Sequence, residues 1–242
     1  MAKYSDDYRV RVGDADSCGF LKLPSLLGMM QEIAKDHAEA LEIGASVLAP
    51  QGLGWALSKL QLEISRLPNC GERVFIKTWA STRSKIHTER EFLIFDDLGD
   101  KIASARSMWI LFDLKKRRIE RLDKLPNWMR DEEFANDFTF SEISKAPSAD
   151  SPFVSNFGVR KDDIDMNGHV NNSIYLTWAL EPVPDDFYSN HKARKVEIYY
   201  LSEVFRGQRL DSICELDGNL SRHLIVSEGR ERARAQIEWI EA

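Results

Sequence analysis

Cysteine is scarce in this 242-residue chain, and the three present, Cys18, Cys70 and Cys214, are odd in number and widely spaced. With no Cys-x-x-Cys pair, neither a disulfide framework nor a metal site is indicated. No apolar run approaches the ~18–20 residues that span a bilayer, and Met1–Asp7 lacks a signal-peptide core. Positive charge is not in excess either: 33 Lys and Arg against 39 Asp and Glu leave −6, the wrong sign for a general nucleic-acid binder. No glycine-rich dinucleotide or phosphate loop occurs, so no organic cofactor is expected. What is present, 43% hydrophobic and 30% charged residues, is the make-up of a globular chain. The expected home is the cytoplasm, or a plastid after loss of a transit peptide.

The chain repeats itself. Residues 9–32 align without a gap on residues 158–181, with Val10/Val159, Arg11/Arg160, Asp14/Asp163, Asp16/Asp165, Gly19/Gly168, Leu27/Leu176 and Glu32/Glu181 identical. Farther on, Leu60-Gln61-Leu62 through Cys70-Gly71-Glu72-Arg73 matches Val196-Glu197-Ile198 through Arg206-Gly207-Gln208-Arg209. Near the end of each half, Ala103-Ser104-Ala105 with Trp109-Ile110 recurs as Ala233-Arg234-Ala235 with Trp239-Ile240. A period above ~100 residues implies duplicated domains, because solenoid units run to only ~20–50. The length suits two domains, and we expect them at 1–126 and 153–242, joined by a Pro-, Ser- and acid-rich linker at 127–152.

Each half reads as a loop, a helix and then strands. Leu23, Leu26, Leu27, Met30, Ile33, Ala34, Ala38 and Leu41 recur at spacings of three and four, which marks one long helix. Pro24 suits its first turn. Alternation predicts strands at 57–64, 74–80, 88–95 and 101–112, divided by turn signals such as Pro68–Gly71 and Asp96–Asp100. In the second half a helix is expected over 173–181, stopping before Pro182, with strands near 195–200, 209–216, 220–226 and 232–240. A helix followed by an antiparallel meander, twice over, is an α+β arrangement in which each sheet wraps its own helix.

One stretch carries the chemistry. Asp165-Met166-Asn167-Gly168-His169-Val170-Asn171-Asn172 packs an acid, an imidazole and three amides into a loop that runs into the second helix. A helix start of this kind presents backbone N–H groups, so the loop entering the helix is expected to donate to a developing negative charge. Across the repeat, Asn167 faces Cys18, His169 faces Phe20 and Glu203 faces Leu67. Polar groups are costly to bury unpaired, roughly 1–3 kcal/mol each, so their presence in one copy alone marks a single working site. Asp165 has Asp16 as its twin, which favours a structural role for it.

These residues resemble a known family. Asp165-x-Asn167-x-His169-Val170-Asn171-Asn172-x-x-Tyr175-x-x-Trp178 is similar to the acyl-acyl-carrier-protein thioesterases of plants and bacteria. Trp55-Ala56-Leu57-Ser58-Lys59-Leu60 and Tyr200-Leu201-Ser202-Glu203-Val204 support the likeness, which covers nearly the whole chain. The resemblance implies two tandem hotdog domains and hydrolysis of fatty acyl-carrier thioesters to free acid and carrier protein. The family's catalytic Asp, Asn and His fall on Asp165, Asn167 and His169, and its strand Glu on Glu203. Many plant members place a Cys after that Glu. Here Val204 stands there and cannot attack a thioester, so general-base activation of water is expected.

Other assignments are broader. Asn171, Asn172, Tyr175, Trp55 and Met30 are candidates for substrate contact, although for Asn171 or Asn172 the helix N-cap is the favoured reading. The first half is expected to supply packing and part of an acyl tunnel. Lys115, Lys116, Arg117 and Arg118 form the one dense basic run, which reads as a solvated hairpin turn or as a dock for an acidic carrier protein. An acyl-CoA thioesterase, or a non-catalytic acyl-binding or dehydratase-like protein of the same fold, remain alternatives. Either a monomer or a homodimer fits.

Overall fold

The computed structural model describes residues 3–125, 133–135, 137–140, 143, 147, 152–166 and 168–242, the Arg83 side chain aside. These divide into two compact units, Met1–Thr139 and Phe140–Ala242. The first unit runs β1 (Tyr4–Arg9), α1 (Leu23–Ala40), the short α2 (Ala45–Leu48), β2 (Leu53–Ile64), β3 (Arg73–Arg83), β4 (His87–Phe95), β5 (Lys101–Asp113) and β6 (Arg118–Glu120). Its strands pair antiparallel in the order β1-β3-β4-β5-β2, with β6 folded back on β5. The second runs β7 (Phe153–Gly158), α3 (Asn172–Leu180), α4 (Asp185–Asn190), β8 (His191–Tyr200), β9 (Arg209–Asp217), β10 (Leu220–Ser227) and β11 (Arg230–Glu241). Its order is β8-β11-β10-β9-β7, again antiparallel.

Helix α1 buries the apolar stripe that the sequence marks: Leu23, Leu26, Leu27, Met30, Ile33, Ala34 and Ala38, together with His37. That face packs on β1 and β3, while α3 packs Tyr175, Leu176, Trp178 and Ala179 against β9, β10 and β11. Helix α3 is half the length of α1 because Pro182 and Pro184 cannot continue it. Strand β2 starts at Leu53, earlier than the alternation indicates, since Gly54 and Ala56 blur the pattern there. The edge strands β1 and β7 give no alternating apolar signal. They carry Asp6 and Asp7, or Ser155 and Asn156, and their register is fixed by pairing with β3 and β9.

The expected linker at 127–152 lies largely outside the described residues. Three of its described carbonyls are held by side chains of the first unit's sheet. Glu133 O accepts from Trp79 Nε1 at 2.7 Å, Thr139 O from Gln61 Nε2 at 2.8 Å, and Phe138 O from the Arg106 guanidinium. Buried Glu91 explains the need for such cover. It accepts from Arg106 Nε at 2.6 Å, Ser81 Oγ at 2.8 Å and Ala135 N at 3.2 Å. Burial still pushes its carboxyl above the usual range.

Four histidines outside the loop have no partner evident from sequence, and the fold supplies one for each. His37 meets the Arg90 guanidinium, His87 the Ser84 hydroxyl, His191 the Phe187 carbonyl, and His223 the Ser221 hydroxyl. Burial pulls the His223 imidazole down to about 4. The unfolded chain therefore takes up a proton near pH 6.5 that the folded chain refuses until about 4. Stability should fall as pH drops through that window, by roughly 2 kcal/mol at pH 5 from this group alone. Urea unfolding at pH 7 and pH 5 checks it: His223→Phe should show a visibly smaller loss than the parent, and equal losses would remove His223 as the cause.

Candidate active site

The two halves build the same pair of loops from backbone bonds. In the first unit Asp16 N donates to Phe20 O at 2.8 Å and Gly19 N to Asp16 O at 3.1 Å; in the second Asp165 N donates to His169 O at 2.8 Å and Gly168 N to Asp165 O at 3.0 Å. Gly19 and Gly168 take φ of 85° and 79°, the left-handed region that the turn requires. The Asp16 carboxylate closes its loop on the amides of Cys18 and Phe20, and Asp165 Oδ1 accepts from His169 N at 3.3 Å. Asp165 thus does in the second copy what Asp16 does in the first: it shapes the loop that presents residue 169. Upstream, Arg11–Asp14 and Arg160–Asp163 form matching 3₁₀ turns, with Asp163 fully buried.

A second loop is drawn alongside. Leu21 N donates to Pro68 O at 2.8 Å, and Val170 N to Val204 O at 3.3 Å. His169 and Glu203 each stand one residue before a member of the second bond, and so face each other. His169 Nδ1 lies 3.4 Å from Glu203 Oε1, with the side chains 33% and 35% exposed. Phe205 packs its ring edgewise on the imidazole at 5.3 Å. At the same two positions the first unit has Phe20 and Leu67, which carry no ionisable group.

Glu203 lies on no strand, contrary to the strand position that the family resemblance implies. Strand β8 ends at Tyr200, and the chain turns because the amides of Leu201 and Ser202 both donate to Arg232 O. Tyr175 sits under that turn, 3% exposed. Its hydroxyl accepts from Val204 N at 3.0 Å and donates to Ser202 O at 3.4 Å. Tyr200 OH donates to Asn172 O at 3.1 Å, which ties the start of α3 to the end of β8. Burial raises both phenols far above their ordinary range.

Three of the amides entering α3, which the sequence marks as donors to a developing negative charge, are occupied within the loop. His169 N is taken by Asp165, Val170 N by Val204 O, and Asn171 N by Asp163 O. Asn171 is the N-cap, its Oδ1 accepting from Ser173 N at 2.9 Å, as the cap preference predicts. Backbone satisfaction wins there because an unpaired buried amide costs more than the loop gains by leaving it open. Asn167 lies outside the described residues.

Other candidates fall elsewhere. Met30 is buried in the face of α1, and Trp55 on β2 donates its Nε1 to Ile43 O at 2.8 Å while packing beside Leu48 and Leu111. Lys115, Lys116 and Arg117 lie in the exposed β5–β6 turn and Arg118 opens β6, with Arg117 at φ 50°. Lys116 Nζ is 3.5 Å from Asp113 and Arg118 is 3.9 Å from Glu120. One residue escaped the sequence reading. The buried Arg232 guanidinium donates to Glu203 O at 3.0 Å and to Ser202 Oγ at 3.2 Å. Its signal was in the repeat: Arg232 faces Ile102, one position ahead of the Ala103/Ala233 match.

Comparison with known proteins places these observations. A family model described as the acyl-ACP thioesterase N-terminal domain matches residues 1–125, and its C-terminal counterpart matches residues 147–241. The chain is 26% identical to the chloroplastic oleoyl-acyl carrier protein thioesterase 1 of Arabidopsis thaliana, over 87% of this chain and 63% of that one. It is 26% identical to a chloroplastic acyl-[acyl-carrier-protein] hydrolase of Cuphea viscosissima, over 90% of this chain and 57% of that one. The chain therefore spans about three fifths of the length of the curated relatives it matches. Among solved structures, a putative oleoyl thioesterase from Lactobacillus plantarum superposes with a TM-score of 0.90 at 25% identity, covering 99% of this chain and 96% of that one. An acyl-ACP thioesterase from Bacteroides thetaiotaomicron gives 0.87 at 23%, covering 99% and 98%, and shares the fold of two tandem hotdog domains, each an antiparallel sheet around a helix. Matched in both halves by the family's models, the chain belongs to the acyl-ACP thioesterase family.

Proposed function

We propose that this chain hydrolyses fatty acyl thioesters of acyl carrier protein to free fatty acid and carrier protein, with water as the nucleophile. The observation that carries this reading is the 3.4 Å contact between His169 Nδ1 and Glu203 Oε1, present where the first copy has Phe20 and Leu67. A carboxylate at Nδ1 fixes the ring proton on that nitrogen and leaves Nε2 as the acceptor. His169 then takes a proton from water, water oxygen adds to the thioester carbonyl, and the carbon–sulfur bond breaks. The imidazolium returns its proton to the departing thiolate. Glu203 holds the ring and stabilises its charge, and the Asn167 amide would orient the water or donate to the carbonyl oxygen. Asp165 acts through the loop it closes. The relatives' names, which carry the carrier protein and a chloroplast location, support the carrier protein as the acyl donor, and a bacterial cytoplasm or a plastid is the home this reading implies.

His169→Ala and Glu203→Ala should each lower kcat by about 10²–10⁴-fold while the thermal midpoint stays near that of the parent. Turnover close to the parent in either variant would remove that residue from the mechanism. Release of free thiol from a panel of acyl-carrier-protein substrates, set against the matching acyl-CoA esters, tests the donor: higher kcat/KM on CoA would make this an acyl-CoA thioesterase.

The exposed basic turn at Lys115, Lys116, Arg117 and Arg118 is read as the surface that meets the acidic carrier. Replacing all four by Glu should raise KM for carrier-bound substrate well beyond any change for acyl-CoA. Equal responses would place the dock elsewhere.

Cysteine chemistry takes no part in this scheme. Cys18 and Cys70 are exposed, whereas Cys214 is buried and its thiol is pushed up to about 12. Iodoacetamide at pH 8 should therefore label Cys18 and Cys70, spare Cys214 and leave kcat intact. Inactivation in step with labelling would argue for a thiol nucleophile.

A further inference from the structure

Glu203 belongs to no strand or helix, so its direction must be set by what grips the segment 201–204. Main-chain bonds make the first layer of that grip, because Arg232 O accepts from Leu201 N at 2.8 Å and Ser202 N at 3.2 Å. The first unit has the same layer, with Ile102 O accepting from Ser65 N at 2.8 Å and Arg66 N at 3.2 Å. There the side chain at the corresponding position is a buried isoleucine, and the turn forms with no donor from that position, its Arg66 reaching away to Glu72 and Asp96.

The second unit adds a guanidinium at that place. Arg232 is 8% exposed, and its Nη1 donates to Glu203 O and to Ser202 Oγ. Nη2 stands 3.5 Å from Glu228, whose own side chain is 63% exposed, a pairing that contributes little in water. Its Nε has no hydrogen-bond partner among the described residues. A buried cation so poorly compensated is a burden on stability, and Ile102 shows that the fold does not need it. The neighbours differ as well: Ser202 and Glu203 stand in one unit where Arg66 and Leu67 stand in the other.

We infer that Arg232 is a positioning residue for the reaction. It pins the main chain of Glu203 so that the carboxylate stays turned toward His169 Nδ1. Tyr175, bonded to Ser202 O and Val204 N, holds the same segment from the helix side. This rests on the reading of Glu203 and His169 as the working pair.

The test uses Arg232→Met and Arg232→Lys in the full chain, read by kinetics and by imidazole ¹⁵N NMR of His169, assigned by its loss in His169→Asn. Arg232→Met should lower kcat by about 10- to 10²-fold with KM within a factor of about two, since displacing a catalytic group by an ångström costs on this scale. The His169 ring signals should shift, and Arg232→Lys, which keeps a cation but offers one donor head for two acceptors, should fall between. Unchanged His169 signals with kcat reduced only in proportion to the folded fraction would overturn the inference. If Arg232→Met does not fold, Arg232→Lys decides alone: a severalfold lower kcat with shifted ring signals supports the inference, and parental values for both overturn it. Should the parent hydrolyse no acyl thioester, the proposed function fails, while the NMR comparison still decides whether Arg232 sets the pair.

Discussion

The amide of Val170 donates to the carbonyl of Val204, and that bond brings a helix-entry loop beside a strand-exit loop from which His169 and Glu203 project. Leu21 and Pro68 make the same bond in the other half, where the projecting residues are Phe20 and Leu67. The meeting of the two loops is therefore a property of the backbone and of the Asp-closed turns that feed it. Side chains at the two positions could change without altering the scaffold. An imidazole–carboxylate pair and an apolar pair occupy equivalent places for this reason.

The positions also have suitable solvent access. Imidazole and carboxylate sit about one third exposed, so neither bears the full cost of desolvation, yet both are screened enough to feel each other. Residues that are more deeply buried in this region each hold a backbone group: Asp163 accepts from Arg160 N, Tyr175 bonds Ser202 O and Val204 N, and Arg232 donates to Glu203 O. Polar atoms deep in the site serve geometry, whereas the imidazole and carboxylate nearer its surface face each other.

Much of this was legible in the sequence. The period of α1, the alternation in β3 to β5 and the gapless match of residues 9–32 to 158–181 report packing that repeats locally, which a linear pattern records well. The facing of His169 and Glu203 was reachable through the repeat, since Phe20 and Leu67 mark equivalent sites. Less legible were features fixed by partners distant in sequence. The edge strands β1 and β7 owe their form to β3 and β9, and the described residues of 133–139 are held by Trp79, Gln61 and Arg106. The occupied amides of His169, Val170 and Asn171 belong to the same class, because each acceptor is set by loop closure, which no periodicity encodes.

The identity of residue 204 bears on mechanism through packing as well as chemistry. Val204 is fully buried, its amide on the Tyr175 hydroxyl and its carbonyl on Val170 N. Glu203 beside it is partly open. Neighbours in an extended segment alternate in direction, so a side chain at 204 points into the core while the one at 203 points to the imidazole. A thiol placed at 204 would enter a desolvated site, and burial disfavours the thiolate that nucleophilic attack requires. The Cys214 thiol is likewise buried, and burial pushes it up to about 12. On these grounds the loop geometry itself, and not merely the absence of a cysteine, disfavours a thiol nucleophile at position 204.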